Sequence, residues 1–352
     1  MSIFKKNPDR YLNVGNEYLL KGQYDLAVES FAMAIDLSPT SADAYYGRGL
    51  GLFSLGRFEE AVKDFNKSIS LNATIPDPFL YRGISYSGLL KFDLAVKDFD
   101  KTIGMRPDLA EAYFYRGVAF RNLNNMANAN RDFLKAIELK PEFPDAYLNL
   151  GIASADKQEW DKAIEYFSKA ISLNPKLMEA YCYRGLAYTK KSMPEDAVKD
   201  LDKAVEIEPL NFEAYFYRAI AHETRKEFDL AVNDYTRALD LNPNMDIAYF
   251  GRAIILNNKG EHDRAIEDLT KAIALFPMFA DAYFFRGMAQ KRKGELDMAL
   301  ADFSKVIEIN PNHAEAHLER ASVHEKKGDK PKADADEQKA YQLNPKLAKK
   351  MN

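Results

Sequence analysis

Three histidines near the end of the chain have a spacing that could support metal binding. His313, His317 and His324 are separated by four and seven residues, so a helix would bring their imidazoles near one face, where they could act as metal ligands. His317 and His324 also occupy positions at which the chain carries aromatic side chains elsewhere. We therefore interpret them as packed side chains and predict no metal site.

Other signals for chemistry are absent from the sequence. Cys182 is the single cysteine, which excludes both a zinc-binding cysteine pair and an intrachain disulfide framework. It shares a helix face with the candidate binding residues given below, but a lone cysteine usually packs as a small apolar side chain. There is no glycine-rich phosphate loop, and no nucleophile is followed by a recognisable base. We predict no enzyme activity and no cofactor.

Charge and hydropathy narrow the classes of partner. The 352 residues include 49 basic and 53 acidic side chains, evenly mixed, with a formal net charge of -4. Such a chain has no field that would attract nucleic acid or an anionic membrane. No apolar run approaches the roughly 18 residues of a membrane span, and the first residues lack the apolar core of a secretory signal. We expect a cytoplasmic protein that neither binds nucleic acid nor inserts directly into a membrane.

A 34-residue period organises the whole chain. Leu-Ser-Pro, Leu-Lys-Pro and Leu-Asn-Pro segments recur at multiples of this length, which is typical of a repeat protein. With Pro8 as position one, the ten repeats begin at residues 8, 42, 76, 110, 144, 178, 212, 246, 280 and 314. No insertion interrupts them, so residues 1–352 are predicted to form a single domain.

Each repeat predicts two tightly packed antiparallel helices. Position eight is always glycine or alanine and position twenty is always alanine, so the helices can approach closely. Proline at position thirty-two ends the second helix in nine repeats. Position fifteen, in the turn between the helices, is glycine in five repeats, which suits a left-handed helix end. The other five repeats carry different residues there, namely Leu90, Asn124, Gln158, Ser192 and Lys226.

Arginine at position seven and aspartate at position twenty-three occur together. Eight repeats have both, whereas repeats one and five have neither. Joint absence predicts contact between the two positions within a repeat, as a salt bridge between its helices. The alternative is that the two positions descend from one ancestral repeat without touching.

The pattern of small residues, aromatics, alanine and proline resembles the tetratricopeptide repeat family over essentially the whole chain. It departs from that family in having tyrosine, phenylalanine or His317 in place of tryptophan at position four, and mostly arginine in place of leucine at position seven. The resemblance implies an all-α fold, a right-handed superhelical solenoid of ten helix-turn-helix repeats whose first helices line an inner groove. It also implies a non-catalytic scaffold or adaptor that binds a protein or peptide segment in this groove. The alternative function is structural self-assembly into homo-oligomers through the terminal repeats or the groove.

Positions five and nine of the first helices form an apolar stripe opposite the face packed within the hairpin, and positions twelve and thirteen vary between repeats. The predicted groove residues are Tyr46, Leu50, Phe114, Val118, Phe216, Ile220, Phe250, Ile254, Asn257, Asn258, Phe284, Met288, Lys291 and Arg292. The richest patch surrounds Phe216, Phe250 and Phe284. These apolar side chains could instead fill the joints between repeats. Position two is acidic in nine repeats, which favours either a basic ligand or simply the start of a helix.

Overall fold

The computed structural model describes residues 7–347, and these contain twenty α-helices and no strand. Residues 1–6 and 348–352, which belong to the predicted single domain, lie outside the described residues. The helices are α1 (Pro8–Leu20), α2 (Tyr24–Leu37), α3 (Ala42–Ser54), α4 (Phe58–Leu71), α5 (Asp77–Gly88), α6 (Phe92–Met105), α7 (Ala110–Asn122), α8 (Met126–Leu139), α9 (Pro144–Asp156), α10 (Trp160–Leu173), α11 (Met178–Lys190), α12 (Pro194–Ile207), α13 (Phe212–Thr224), α14 (Phe228–Leu241), α15 (Asp246–Asn258), α16 (His262–Leu275), α17 (Ala280–Lys293), α18 (Leu296–Ile309), α19 (Ala314–Lys326) and α20 (Lys330–Leu343). The predicted all-α fold of paired helices is confirmed.

The helix bounds follow the 34-residue period. Every second helix begins at position seventeen of its repeat, and nine of the ten first helices begin at position one. The exception is α5, which begins one residue later, at Asp77, because Pro76 takes the capping position before the helix. The observed starts of the first helices thus lie within one residue of the repeat starts given above.

The hairpins fall into two compact units, which divide in the sequence between Pro175 and Lys176. In the first unit the two helices of each hairpin pack together, as α3 and α4 do, and α4 also contacts α5. First helices of adjacent repeats touch as well, as α3 and α5 do. The second unit is built in the same way, with α12 against α13 and α11 against α13. That the ten repeats form one domain stays a prediction.

Small residues at position eight bring the two helices of a hairpin into close contact. A Cβ atom added to Gly83 would lie 2.7 Å from the ring of Phe99, which is fully buried at position twenty-four of the same repeat. Gly117 and Phe133 show the same 2.7 Å approach in the next repeat. A phenylalanine ring therefore lies directly on the backbone of the facing helix, which only glycine or a locally adjusted alanine allows.

The turn inside every hairpin has a left-handed residue at position fifteen. Its φ is positive at five glycines and also at Leu90, Asn124, Gln158, Ser192 and Lys226. A residue with a side chain pays roughly 1 kcal/mol or more for this conformation. The left-handed conformation that was expected at the glycines thus occurs at position fifteen in all ten repeats. The packed helices on either side require the same turn, whichever residue occupies this position.

Candidate functional site

The predicted arginine–aspartate salt bridges form in all eight repeats that carry both residues. The pairs are Arg48–Asp64, Arg82–Asp98, Arg116–Asp132, Arg184–Asp200, Arg218–Asp234, Arg252–Asp268, Arg286–Asp302 and Arg320–Asp336. Each is bidentate. In repeat four, for example, Arg116 donates from Nε to Asp132 Oδ2 at 2.7 Å and from Nη2 to Oδ1 at 2.8 Å. Contact within a repeat is confirmed.

The same arginines also join a repeat to the one before it. Arg116 Nη1 donates to Asp100 Oδ1 at 2.6 Å, and Asp100 belongs to the preceding repeat. Arg252 Nη1 reaches Thr236 Oγ1 in the same way, at 2.9 Å. The Arg116 guanidinium further lies 5.4 Å from the ring centre of Tyr113. These charges are engaged by the framework, so they form no ligand site.

The three histidines have structural contacts. The His313 side chain accepts a hydrogen bond from a backbone N–H in the first turn of α19, and its ring stacks on Phe284 with ring centres 5.0 Å apart. His317 is buried, with Nδ1 3.1 Å from Asp336 Oδ1, and His324 is half-buried in the same helix. Within residues 7–347 no three histidine, cysteine or carboxylate side chains are arranged to hold a metal ion.

Cys182 is a buried side chain of α11, and its Sγ lies 3.4 Å from Met178 Sδ. Burial raises the pKa of its thiol to about 12, and the negative charges of Glu213, Glu179 and Glu208 add to this effect. A thiol held in its protonated form is a poor nucleophile.

The predicted groove residues of the first unit are half-buried and lie in separate clusters. Tyr46 and Leu50 of α3 pack around Phe65, and the Tyr46 ring centre is 6.1 Å from that of Phe65. Phe114 and Val118 of α7 pack into other clusters, with the Phe114 ring 4.7 Å from that of Phe143. Only part of each side chain is left accessible to a ligand.

The apolar candidates of the second unit are placed similarly. The Phe250 ring centre lies 4.8 Å from that of Phe279 and 5.7 Å from that of Phe285, which is in the next repeat. The remaining apolar candidates are packed in a similar way. Phe216 and Ile220 pack around Tyr235, and Phe284 and Met288 pack around Phe303. Ile254 is half-buried in α15. These side chains fill joints between helices as well as facing outward. Their role in binding stays a prediction.

The four polar candidates differ in accessibility. Asn257 is 4% exposed, and its Oδ1 lies 3.3 Å from Nη1 of Arg292. Lys291 is paired with Glu319 of the next repeat at 2.6 Å. Asn258 is exposed, as is much of Arg292. Asn257, Lys291 and Arg292 therefore make contacts between repeats, and Asn258 and Arg292 are the two with the most exposed surface.

A further surface lies where position two of a first helix meets position thirty-one, just after the second helix of the same repeat. Arg106 Nη2 lies 3.3 Å from Asp77 Oδ1 in repeat three, and Lys140 Nζ lies 2.8 Å from Glu111 Oε1 in repeat four. This pairing of position two with position thirty-one was not predicted from the sequence. Opposite charges 29 residues apart in two successive repeats were the signal that could have revealed it.

Comparisons with known proteins agree with this architecture. A model described as "Tetratricopeptide repeat" matches residues 42–74, 144–177, 212–245 and 280–313, and two others of that description match residues 82–138 and residues 179–209 and 247–277. A "TPR repeat" model matches residues 15–52. No curated protein gives a significant match.

Solved structures include several similar chains. MamA is 31% identical, with 47% of this chain and 97% of that chain covered and a TM-score of 0.43. A tetratricopeptide repeat protein from Parabacteroides merdae is 20% identical, with 70% and 98% covered and a TM-score of 0.53. The Cut9–Hcn1 hetero-tetramer of the APC/C is 13% identical, with 97% and 94% covered and a TM-score of 0.50.

Membrane crossing requires a helix that is both long and apolar, and no helix among the described residues meets that requirement. The helical hairpins repeat every 34 residues, and the family models together cover most of the chain. The chain belongs to the tetratricopeptide repeat family.

Proposed function

We propose that this protein is an interaction scaffold that holds a segment of another protein against the first helices of its repeats. The observation behind the proposal is that the recurring side chains and the variable side chains occupy different places in the structure. Residues that recur in most repeats, such as the bidentate pair of Arg116 and Asp132, which is one of eight such pairs in the ten repeats, make contacts within the framework. Residues that change from repeat to repeat, such as Asn258 and Arg292, reach the surface.

The second unit has the composition of a binding surface. Helices α13, α15 and α17 each carry a half-buried aromatic ring, and α15 and α17 also carry the exposed residues Asn258 and Arg292. Binding energy in protein interfaces concentrates in aromatic and arginine side chains of this kind. The partly packed rings of Phe216, Phe250 and Phe284 are rigid, which lowers the entropy lost on binding. A ligand segment lying along the first helices would touch these side chains in turn.

The test is capture of partners on the immobilised full chain, followed by cross-linking and mass spectrometry. We expect a partner that cross-links to first helices, and we expect Arg292→Glu to reduce its capture at least fivefold. The matched control is Arg57→Glu, which alters an exposed arginine that pairs with Glu60 of its own repeat. Circular dichroism of each variant checks folding.

Other outcomes would contradict the proposal. Equal capture by both variants would place binding away from these helices. If the chain recovers only itself, and light scattering shows a mass that rises with concentration, the partner is a second copy and the chain is a self-assembly module.

A further inference from the structure

Position six of a first helix enters a slot that the preceding repeat forms. In repeat three the ring of Tyr81 fills it, with its centre 6.2 Å from that of Tyr46 and 5.6 Å from that of Phe53. The ring centre of Phe65 lies 6.4 Å away. These three neighbours occupy positions five, twelve and twenty-four of repeat two. We call this space the position-six slot, because one hairpin supplies its walls and position six of the next hairpin supplies its occupant.

The occupant of the slot complements a charged side chain at position twelve beside it. Lys291 is at position twelve of repeat nine, and its Nζ lies 2.6 Å from Oε2 of Glu319, at position six of repeat ten. Arg121 is at position twelve of repeat four, and its Nη1 donates a hydrogen bond to Oδ1 of Asn149, at position six of repeat five. A charge at position twelve is thus met by a polar or oppositely charged group in the slot.

The slot between repeats seven and eight has a charged wall and no side chain of position six in it. Position twelve of repeat seven is Glu223, and position six of repeat eight is Gly251. Both residues are half-buried, so each keeps some surface accessible to solvent. Within residues 7–347 Glu223 forms no ion pair. The described part of the chain therefore does not supply the complementary cation that this carboxylate calls for.

The floor of this slot is the hydroxyl of Tyr235, at position twenty-four of repeat seven. Tyr235 is 2% exposed, and a Cβ atom added to Gly251 would lie 2.7 Å from its hydroxyl oxygen. The hydroxyl is hydrogen-bonded to the Glu223 carboxylate, and burial raises the pKa of that carboxyl. The Phe216 ring, at position five, lies 6.0 Å from the Tyr235 ring. A cation in the slot would stabilise the charged form of Glu223 that burial disfavours.

The other glycine at position six shows that packing does not require these polar groups. Gly47 faces repeat one, which carries Leu19 and Phe31 at positions twelve and twenty-four. A Cβ atom added to Gly47 would lie 2.4 Å from the Phe31 ring, so apolar residues allow the same close approach. The carboxylate of Glu223 and the hydroxyl of Tyr235 therefore have another explanation.

We infer that this slot seats a lysine or arginine side chain of the partner segment, whose cationic group contacts the Glu223 carboxylate and the Tyr235 hydroxyl oxygen. This inference rests on the proposed scaffold function and specifies the partner's chemistry. The Tyr235 oxygen can accept a hydrogen bond while its own hydrogen is donated to Glu223. The Phe216 ring adds an aromatic face, which also attracts cations. The contact repeats that of Lys291 with Glu319, with the charges exchanged.

The test starts from random twelve-residue peptides displayed on phage and selected on the immobilised full chain. Enriched peptides are synthesised, and their affinities are measured by fluorescence anisotropy. We expect each to contain a lysine or arginine whose replacement by norleucine weakens binding to the wild type about tenfold or more. The same replacement should change binding to Glu223→Gln by less than about twofold, because the coupling between two groups is lost when either is absent.

Three variants separate the slot from general effects. Tyr235→Phe keeps the ring that phenylalanine supplies at this position in other repeats, and it should weaken binding about threefold. Glu325→Gln changes the exposed glutamate at position twelve of repeat ten and should leave affinity within about twofold. Glu223→Lys reverses the charge, so peptides selected on it should carry aspartate or glutamate instead. Circular dichroism checks the folding of each variant.

Several results would overturn the inference. Enriched peptides that need no basic residue would reject the slot and keep the scaffold function. A norleucine effect of equal size on the wild type and on Glu223→Gln would do the same, and this comparison decides even if Glu223→Lys does not fold. Selection of the same basic peptides by a folded Glu223→Lys would also reject the slot. No enrichment over an unrelated protein would reject both proposals.

Discussion

We predict that losing one member of the ion pair of Arg116 and Asp132 destabilises the fold, and that two apolar side chains can replace the whole pair. It is the most enclosed of the eight, since the side chains are 13% and 2% exposed. Removing the arginine alone leaves a buried carboxylate without the two hydrogen bonds that it accepts at 2.7 and 2.8 Å. Breaking a buried pair by removing one partner costs about 3 to 5 kcal/mol. We expect Arg116→Leu to fall in this range.

Repeat five shows the apolar alternative. It carries Leu150 and Tyr166 at the same two positions, and both pack in one hydrophobic cluster. The double variant Arg116→Leu with Asp132→Tyr copies this arrangement one repeat earlier. We expect it to lie within about 1 kcal/mol of the wild type, because replacing a buried ion pair by apolar groups of similar volume is often neutral.

Trp160 provides the assay. It is the single tryptophan of the chain and lies half-buried at the start of α10, in the same unit as the pair. Its fluorescence during urea unfolding reports the free energy of unfolding of that unit. The matched control is Arg57→Leu, which removes a bidentate pair with two 2.7 Å hydrogen bonds to Glu60 in an exposed setting. We expect the control to change the midpoint very little.

A change in stability after Arg116→Leu no larger than that of the exposed control would contradict this prediction. So would a double variant that loses as much stability as Arg116→Leu and Asp132→Tyr summed, because the effects of independent sites add and those of coupled sites do not. Either result would mean that the bidentate pair contributes little to the stability of the contact between the two helices.

Three further predictions concern backbone and pH. Gly83→Ala should lower the free energy of unfolding by about 1 to 3 kcal/mol, because the added methyl group presses on Phe99. Gly104→Ala has open space at its Cβ and should raise the free energy of unfolding by about 0.5 to 1 kcal/mol. Urea unfolding that ranks the two variants in the opposite order would contradict this packing. Leu90→Gly should raise the free energy of unfolding by about 0.5 to 1 kcal/mol by relieving its φ of 58°, and an unchanged urea midpoint would argue against strain. The buried Cys182 thiol has its pKa raised from 9.0 to about 12, so its contribution to stability is complete below about pH 9 and is lost as the pH rises toward 12. Comparing Cys182→Ala with the wild type across this range by urea unfolding isolates the effect, and identical pH profiles would refute it.

Much of the fold follows from the sequence because its signals are local and repeated ten times. The small residue at position eight and the proline at position thirty-two fix the helices within each repeat. The pairing of Arg116 with Asp132 was also predictable, because repeat five lacks both members at once. A single hairpin would have shown neither regularity.

The candidate surface was less predictable, because helical spacing shows on which face of a helix a side chain lies but not how much of that side chain is exposed. Phe250 and Asn258 were predicted to face a ligand together, but the Phe250 ring is covered in part by Phe279 and Phe285. Phe276, which lies in a turn outside any helical stripe, is the aromatic ring of that cluster with 47% of its surface exposed. Exposure depends on which neighbouring element covers a side chain, and periodicity within one helix carries no information on that.

The sequence by itself determined the number of repeats, the ends of the helices and the partner of each framework arginine, because those depend on contacts inside a 34-residue unit. The tertiary structure alone decided that position two lies beside position thirty-one, as Asp77 does beside Arg106. It also decided that Leu90 adopts the left-handed turn that glycine adopts in other repeats. Both outcomes arise from packing between helices distant in sequence, where the gain from many contacts outweighs the preference of any one residue.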